Sequence, residues 1–172
     1  DVLLELPNPV MPDTLVTACH ELDGVRVHWI SRYNAGANLS MDLEAVETFT
    51  QDPAKALEHL VSVVPSTFRT DWAMALRRVD NEPETMFTSP AAPTLKDEGV
   101  VQAAKSWLSQ RTSRRVPGVD AWDSTLLAVS PGKLRNGSRF VVVVARHGGP
   151  DFLSSEIARL GHMVSLAAGV QS

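Results

Sequence analysis

Arg139-Phe140-Val141-Val142-Val143-Val144-Ala145-Arg146-His147-Gly148-Gly149-Pro150-Asp151-Phe152-Leu153-Ser154-Ser155-Glu156-Ile157-Ala158-Arg159-Leu160 is the stretch that decides the fold. Four consecutive valines after Phe140 are the strongest strand signal in the chain, because β-branched side chains favour extended backbone. Gly148-Gly149-Pro150-Asp151 then leads into a final helix. On it Leu153, Ile157, Leu160, Val164 and Ala168 recur at helical spacing and share one buried face.

Upstream, Ser124 to Val129 reads as a second strand. Pro131-Gly132 and Asn136-Gly137 supply turns between the two, so an antiparallel hairpin is expected. Arg111 to Asp120 reads as a long basic connector. Gly99 to Gln110 places Val100, Ala103, Ala104, Trp107 and Leu108 at helical spacing. Trp72 to Val79 reads as a strand ending at Asp80-Asn81, and Glu84 to Thr88 as another. Asp52-Pro53 supplies a cap and first position for helix 53–64, whose Leu57, Leu60, Val61 and Val64 line one face. Pro65 is expected to end it.

From residue 53 the order is therefore helix, strand, strand, helix, strand, strand, helix. The strands are joined as hairpins, which favours an antiparallel sheet with helices grouped beside it, an α+β architecture. Helices 53–64 and 151–168 each carry one apolar stripe and are expected to pack together on one face of the sheet.

The beginning of the chain reads differently. Val2 to Leu6 is expected to be a strand, stopped by Pro7-Asn8-Pro9. Leu15, Val16, Cys19 and Leu22 give helix 12–22 an apolar face, and Asp23-Gly24 ends it. Val25, Val27 and Trp29 alternate with Arg26 and His28 in an expected strand 25–31. Residues 34–52 read as a connector, with a short helical turn at Leu43, Val46 and Phe49. The organisation expected is thus a segment 1–33, a connector 34–52 and a domain 53–172.

The 172 residues are 44% hydrophobic and 21% charged, which suits one ordinary domain and excludes a highly charged disordered chain. No run of 18 apolar residues occurs, so no transmembrane helix and no membrane partner are expected. The single cysteine allows neither an internal disulfide nor a cysteine-rich zinc site, and a reducing cytoplasm is the expected setting. Asp1-Val2-Leu3-Leu4 is neither a basic leader nor an initiator methionine, so a start further upstream is expected. The net charge of −4 is unevenly spread. Residues 1–65 hold ten acids against three bases, and residues 66–172 ten acids against thirteen. A net acidic chain is not steered toward nucleic acid as a whole.

Two resemblances follow from particular motifs. Leu3-Leu4-Glu5-Leu6-Pro7, Met11-Pro12-Asp13-Thr14-Leu15, Leu22-Asp23-Gly24-Val25-Arg26-Val27 and Ser31-Arg32-Tyr33 resemble the second half of an ACT domain. That resemblance implies a small regulatory module that commonly binds amino acids. The glycine-containing first loop, where such domains commonly bind their ligand, has no counterpart here.

Phe68-Arg69-Thr70-Asp71-Trp72-Ala73, Trp122-Asp123-Ser124-Thr125 and the run from Ala145 to Leu160 resemble a reduced GAF-type domain over about 53–172. It implies first and last helices packed on one side of an antiparallel sheet, and a pocket on the other side roofed by helix and loops. No motif for cyclic nucleotide, haem or bilin is present, and Cys19 lies outside this region. No cofactor is therefore expected. Together the two segments resemble poorly characterised actinobacterial ACT-domain proteins.

Residue chemistry adds little that is specific. His20, His28, His59, His147 and His162 are scattered with no metal-ligand spacing, so no metal is expected. No Gly-x-Ser-x-Gly elbow is present. Arg111, Arg114 and Arg115 form the densest basic patch, read as a solvated loop in preference to a phosphate site. Gly148-Gly149 reads as a tight turn, because Asp151 would repel a phosphate there. Trp72 and Trp122 read as core fillers, with a pocket wall as the alternative.

The leading expectation is a non-catalytic regulatory or small-molecule-sensing protein, responsive to amino acids by its ACT resemblance, with an apolar cavity within 66–172. The alternatives are a homodimerising interaction module without ligand, and a small enzyme using Arg146 and His147. The preferred reading assigns no catalytic residue.

Overall fold

Phe140 to Ala145 forms the centre of a five-stranded antiparallel sheet in the order β2-β1-β5-β4-β3. The computed structural model describes residues 12–27 and 37–171, in two compact units, Asp1–Asn34 and Ala35–Ser172.

Within the first unit, α1 (Pro12–His20) forms where helical spacing predicted it. The predicted strand 25–31 does not continue from it. Val25 N donates to Leu22 O at 3.2 Å, so the chain is still turning there, and Val25 to Val27 carries no strand pairing. The rest of that strand and the predicted strand at Val2–Leu6 lie outside the described residues.

The second unit runs α2 (Ala37–Gln51), a 3-10 turn (Pro53–Lys55), α3 (Ala56–Phe68), β1 (Trp72–Val79), β2 (Glu82–Thr88), α4 (Glu98–Trp107), β3 (Arg114–Val116), β4 (Thr125–Lys133), β5 (Arg139–His147) and α5 (Ser154–Val170). The α+β architecture follows from β5. Phe140, Val142 and Val144 bury toward one cluster, and Val141, Val143 and Ala145 toward another. A strand with both faces covered needs no polar alternation, which is why the valines run consecutively. β5 pairs with β1 over Trp72↔Ala145 to Arg77↔Phe140, and with β4 over Thr125↔His147 to Lys133↔Arg139.

Helices α2, α3 and α5 cover the first face. Ala73, Ala75 and Ala128 form a low floor there, on which Leu60, Val64 and Leu160 pack. As expected, α3 and α5 lie together. Gln171, just past α5, accepts from Leu57 N at 2.9 Å and donates to Ala54 O at 2.6 Å. It thus satisfies an amide left free at the start of α3. Asp52 does not cap this helix as expected. Its carboxylate makes no capping bond and faces His59 at 4.0 Å.

Several local expectations are corrected by tertiary packing. α3 continues past Pro65 to Phe68, because Thr67 and Phe68 are buried and Arg69 closes the helix in the left-handed region at φ 51. Residues 37–51, read as connector with a short turn, form a full helix whose Ala45 and Phe49 are buried. Part of the basic connector forms β3, paired with Leu127 to Val129. Pro131-Gly132 is not a turn: β4 runs through it. Beyond Val129 that strand has no β3 neighbour, so the missing Pro131 N–H breaks no ladder on that side. Gly132 is needed because the Phe140 ring lies where its Cβ would be. The hairpin turns at Leu134–Ser138 instead, with Gly137 at φ 89. Asp80 and Asn81, both at positive φ (48 and 69), make the expected two-residue turn between β1 and β2.

Gly132→Ala should push the Phe140 ring out of its place and lower the unfolding free energy by about 1–3 kcal/mol. Urea titration of the two proteins checks this.

Candidate functional site

The second face of the sheet has a thinner cover than the first. Met74, Leu76, Val129, Val141 and Val143 lie beneath one short helix, α4, and the irregular segment 117–124. Asp97 starts α4 by accepting from Gly99 N at 2.9 Å and Val100 N at 3.2 Å. Val100, Ala104 and Trp107 point from it into the sheet. Trp122 sits at the margin, half-buried. It meets Trp72 edge-on, with ring centroids 5.1 Å apart at 79°, and lies over Trp107 at 6.0 Å and 31°. The core reading of Trp72 therefore holds, and the tryptophans fill part of the region 66–172 where an apolar cavity was expected.

Two open clefts flank the Gly118–Asp120 segment. One, of about 490 Å³, is lined by Asp120, Trp122, Asp123, Thr125, Gly148 and Gly149 among others. The other, of about 560 Å³, lies between Asp97, Ala103 and Asp120. Neither contains a basic side chain. Asp120 and Asp123 form no ion pair among the described residues. The clefts are thus lined by acids within a region that is basic in sum, because its arginines lie outside both linings.

Arg115 holds Asp151 at 2.7 Å. Arg111 and Arg114 are exposed and reach neither cleft lining.

Arg146 is engaged more fully. Its Nε donates to Arg69 O at 3.2 Å, Nη1 to Pro150 O at 3.0 Å, and Nη2 to Phe68 O and Glu156 Oε1, both at 2.9 Å. The guanidinium also stacks 4.5 Å from the Phe152 ring centroid. Glu156 turns its other oxygen to Leu153 N at 2.8 Å, closing the start of α5. Arg146 is therefore a clamp that joins the end of α3 to the start of α5. It does not meet His147 in a reactive pair. His147 is exposed, and its backbone N–H donates to the Asp71 carboxylate. Strand geometry sends the two side chains to opposite faces.

Gly148 and Gly149, at φ 66 and 79, make the tight turn expected of them. The following helix start is occupied by its own acids, because Asp151 accepts from Phe152 N at 3.0 Å. His20 and His162 are exposed, and His28 and Trp29 lie outside the described residues. Among the described residues no group of three His, Cys, Asp or Glu could hold a metal, and no helix is long and apolar enough to cross a membrane. Sequence reasoning missed the clamp. Arg146 and Glu156 are separated by a turn and share no helical or strand period.

No protein-family model matches the sequence, and a search of the curated proteins finds no match. Solved structures do match in shape. The GAF domain of an Acinetobacter phosphoenolpyruvate-protein phosphotransferase aligns over 81% of this chain and 94% of its own, at 11% identity and TM-score 0.58. The fold is that of a GAF domain. Structures of two reductases share it. The free methionine-R-sulfoxide reductase of Neisseria meningitidis covers 85% of this chain and 95% of its own at 15% identity and TM-score 0.58. The fRMsr of Staphylococcus aureus covers 83% and 100% at 10% identity and TM-score 0.64. They correct the expectation that this chain is not an enzyme, because the GAF fold from which it was drawn is also a fold of enzymes. Cys19, the one thiol in the sequence, lies in the other unit.

Arg146→Ala should cost about 2–4 kcal/mol of stability, because it leaves Glu156 and two helix-end carbonyls without their donor. His147→Ala should stay within about 0.5 kcal/mol of wild type. Paired denaturant titrations read both.

Proposed function

We propose that the unit 35–172 is a small-molecule-sensing regulatory module and that its ligand site is the cleft between Trp122 and Gly148-Gly149. The carrying observation is an indole beside two carboxylates that have no cationic partner among the described residues. That combination favours an amine or quaternary ammonium group, whose charge gains from the carboxylates and whose carbon atoms gain from contact with the indole. A free amino acid could bring its ammonium to the same groups, with its own carboxylate turned to water. This is the form in which amino-acid responsiveness fits the site. The single cysteine supports a reducing, cytoplasmic setting.

A second reading concerns the segment 1–33, for which we retain the ACT-like assignment on its sequence motifs. Leu22 and Val25 are 58% and 45% exposed, which suits a surface that pairs with a second copy. Native mass spectrometry of the freshly purified chain tests both readings. The expected spectrum is a homodimer that carries, or takes up from added tetramethylammonium, choline or amino acids, a cationic small molecule. Asp120→Asn and Asp123→Asn should each weaken that uptake about three- to tenfold. Uptake of anions only, or unchanged uptake in both variants, contradicts the ligand assignment. A monomer at all concentrations contradicts the pairing.

A further inference from the structure

The wall of this cleft is bonded to a clamp that serves the opposite layer of the sheet. Gly148 and Gly149 line the cleft. Gly148 N donates to Ser124 O at 2.9 Å, which fastens the wall to the segment carrying Trp122. Pro150, which follows Gly149 directly, accepts from Arg146 Nη1 at 3.0 Å, so the wall runs straight into the clamp. The same arginine holds Phe68 O and Arg69 O at the end of α3, and Pro150 O and Glu156 before and within the first turn of α5. Leu126, which also lines the cleft, is its cross-strand partner.

We propose that Arg146 couples the cleft to the helix pair, so that the facing ends of α3 and α5 are the output of the site. This rests on the cleft being the ligand site. The guanidinium is a rigid planar fork whose bonds are directional, and its side chain is only 12% exposed. A small rotation of it therefore breaks several bonds together, which gives two discrete arrangements rather than a continuous yield. In the engaged state the orphan carbonyls at the end of α3 have a donor. In the released state they lose it, and Glu156 is freed from its pair. A ligand that displaces Gly148-Gly149 biases the choice between the two. Arg146 is thus a positioning residue that acts through the helix ends and touches no ligand itself.

Hydrogen exchange of the full chain tests the coupling without any ligand. Trp122→Ala perturbs the cleft where Trp122 packs on Trp72 and Trp107. It should speed exchange in 65–70 and 154–160 about tenfold, and Arg146→Lys, which replaces the fork by a point charge, should abolish that response. Additive effects of the two substitutions are what a merely structural clamp gives, and they overturn the proposal. If Arg146→Lys does not fold, Glu156→Gln takes its place in the same cycle. A parallel titration with tetramethylammonium separates the two claims. Binding with unchanged exchange at both helix ends refutes the coupling and keeps the site. Non-additivity without binding refutes the ligand class and keeps the coupling.

Discussion

A central strand buried on both faces is the constraint from which the rest of the GAF-fold unit follows. Val141 to Val144 are each 1% exposed or less, so each face needs its own apolar cover. The two covers are unequal. On one side small alanines let α3 and α5 settle close to the strands, with α2 beside them. On the other, three indoles, one short helix and an irregular segment complete the cover. Large side chains replace backbone elements there, and an open cleft remains at their margin. The asymmetry of the two layers thus places the candidate site.

The arginine that follows the valine run converts this layering into a connected structure. It stands at the end of β5, where the chain turns from sheet to helix. Its donors reach the closing residues of one helix and the first turn of another. Without it, helix-end carbonyls would lie at the rim of the core with no partner, at a cost of about 1–3 kcal/mol for each one left buried. Charges elsewhere follow the same economy. Arg115, Arg77 and Lys105 are each paired with a carboxylate, and Asp120 and Asp123, beside an indole, have no ion pair among the described residues.

Much of this was legible in the chain itself. The valine run, the Asp80-Asn81 turn and the stripe on the last helix are local signals, and each names its element. What was not legible depended on contacts between distant residues. Pro65 reads as a stop, and the burial of Phe68 overrides it. Pro131-Gly132 reads as a turn, and the Phe140 ring occupies the space that makes Gly132 part of a strand. Phe49 reads as part of a short turn, and its burial draws 37–51 into one helix. The clamp and the uncompensated carboxylates are properties of pairing, which no periodicity records. The function followed the same division: the fold was legible as GAF-like, and the presence of reductases on that fold shows why it could not exclude catalysis.

Recognition of a cationic group by the acidic, indole-walled cleft is what we propose for the site. The direct measurement is a two-dimensional amide and indole NMR titration of the full chain with tetramethylammonium chloride at constant ionic strength. Saturable shifts of the Trp122 indole N–H and of the Gly148 and Gly149 amides are expected, absent with the same concentration of sodium chloride. Shifts spread evenly over the exposed acids, or none at Trp122, would contradict it.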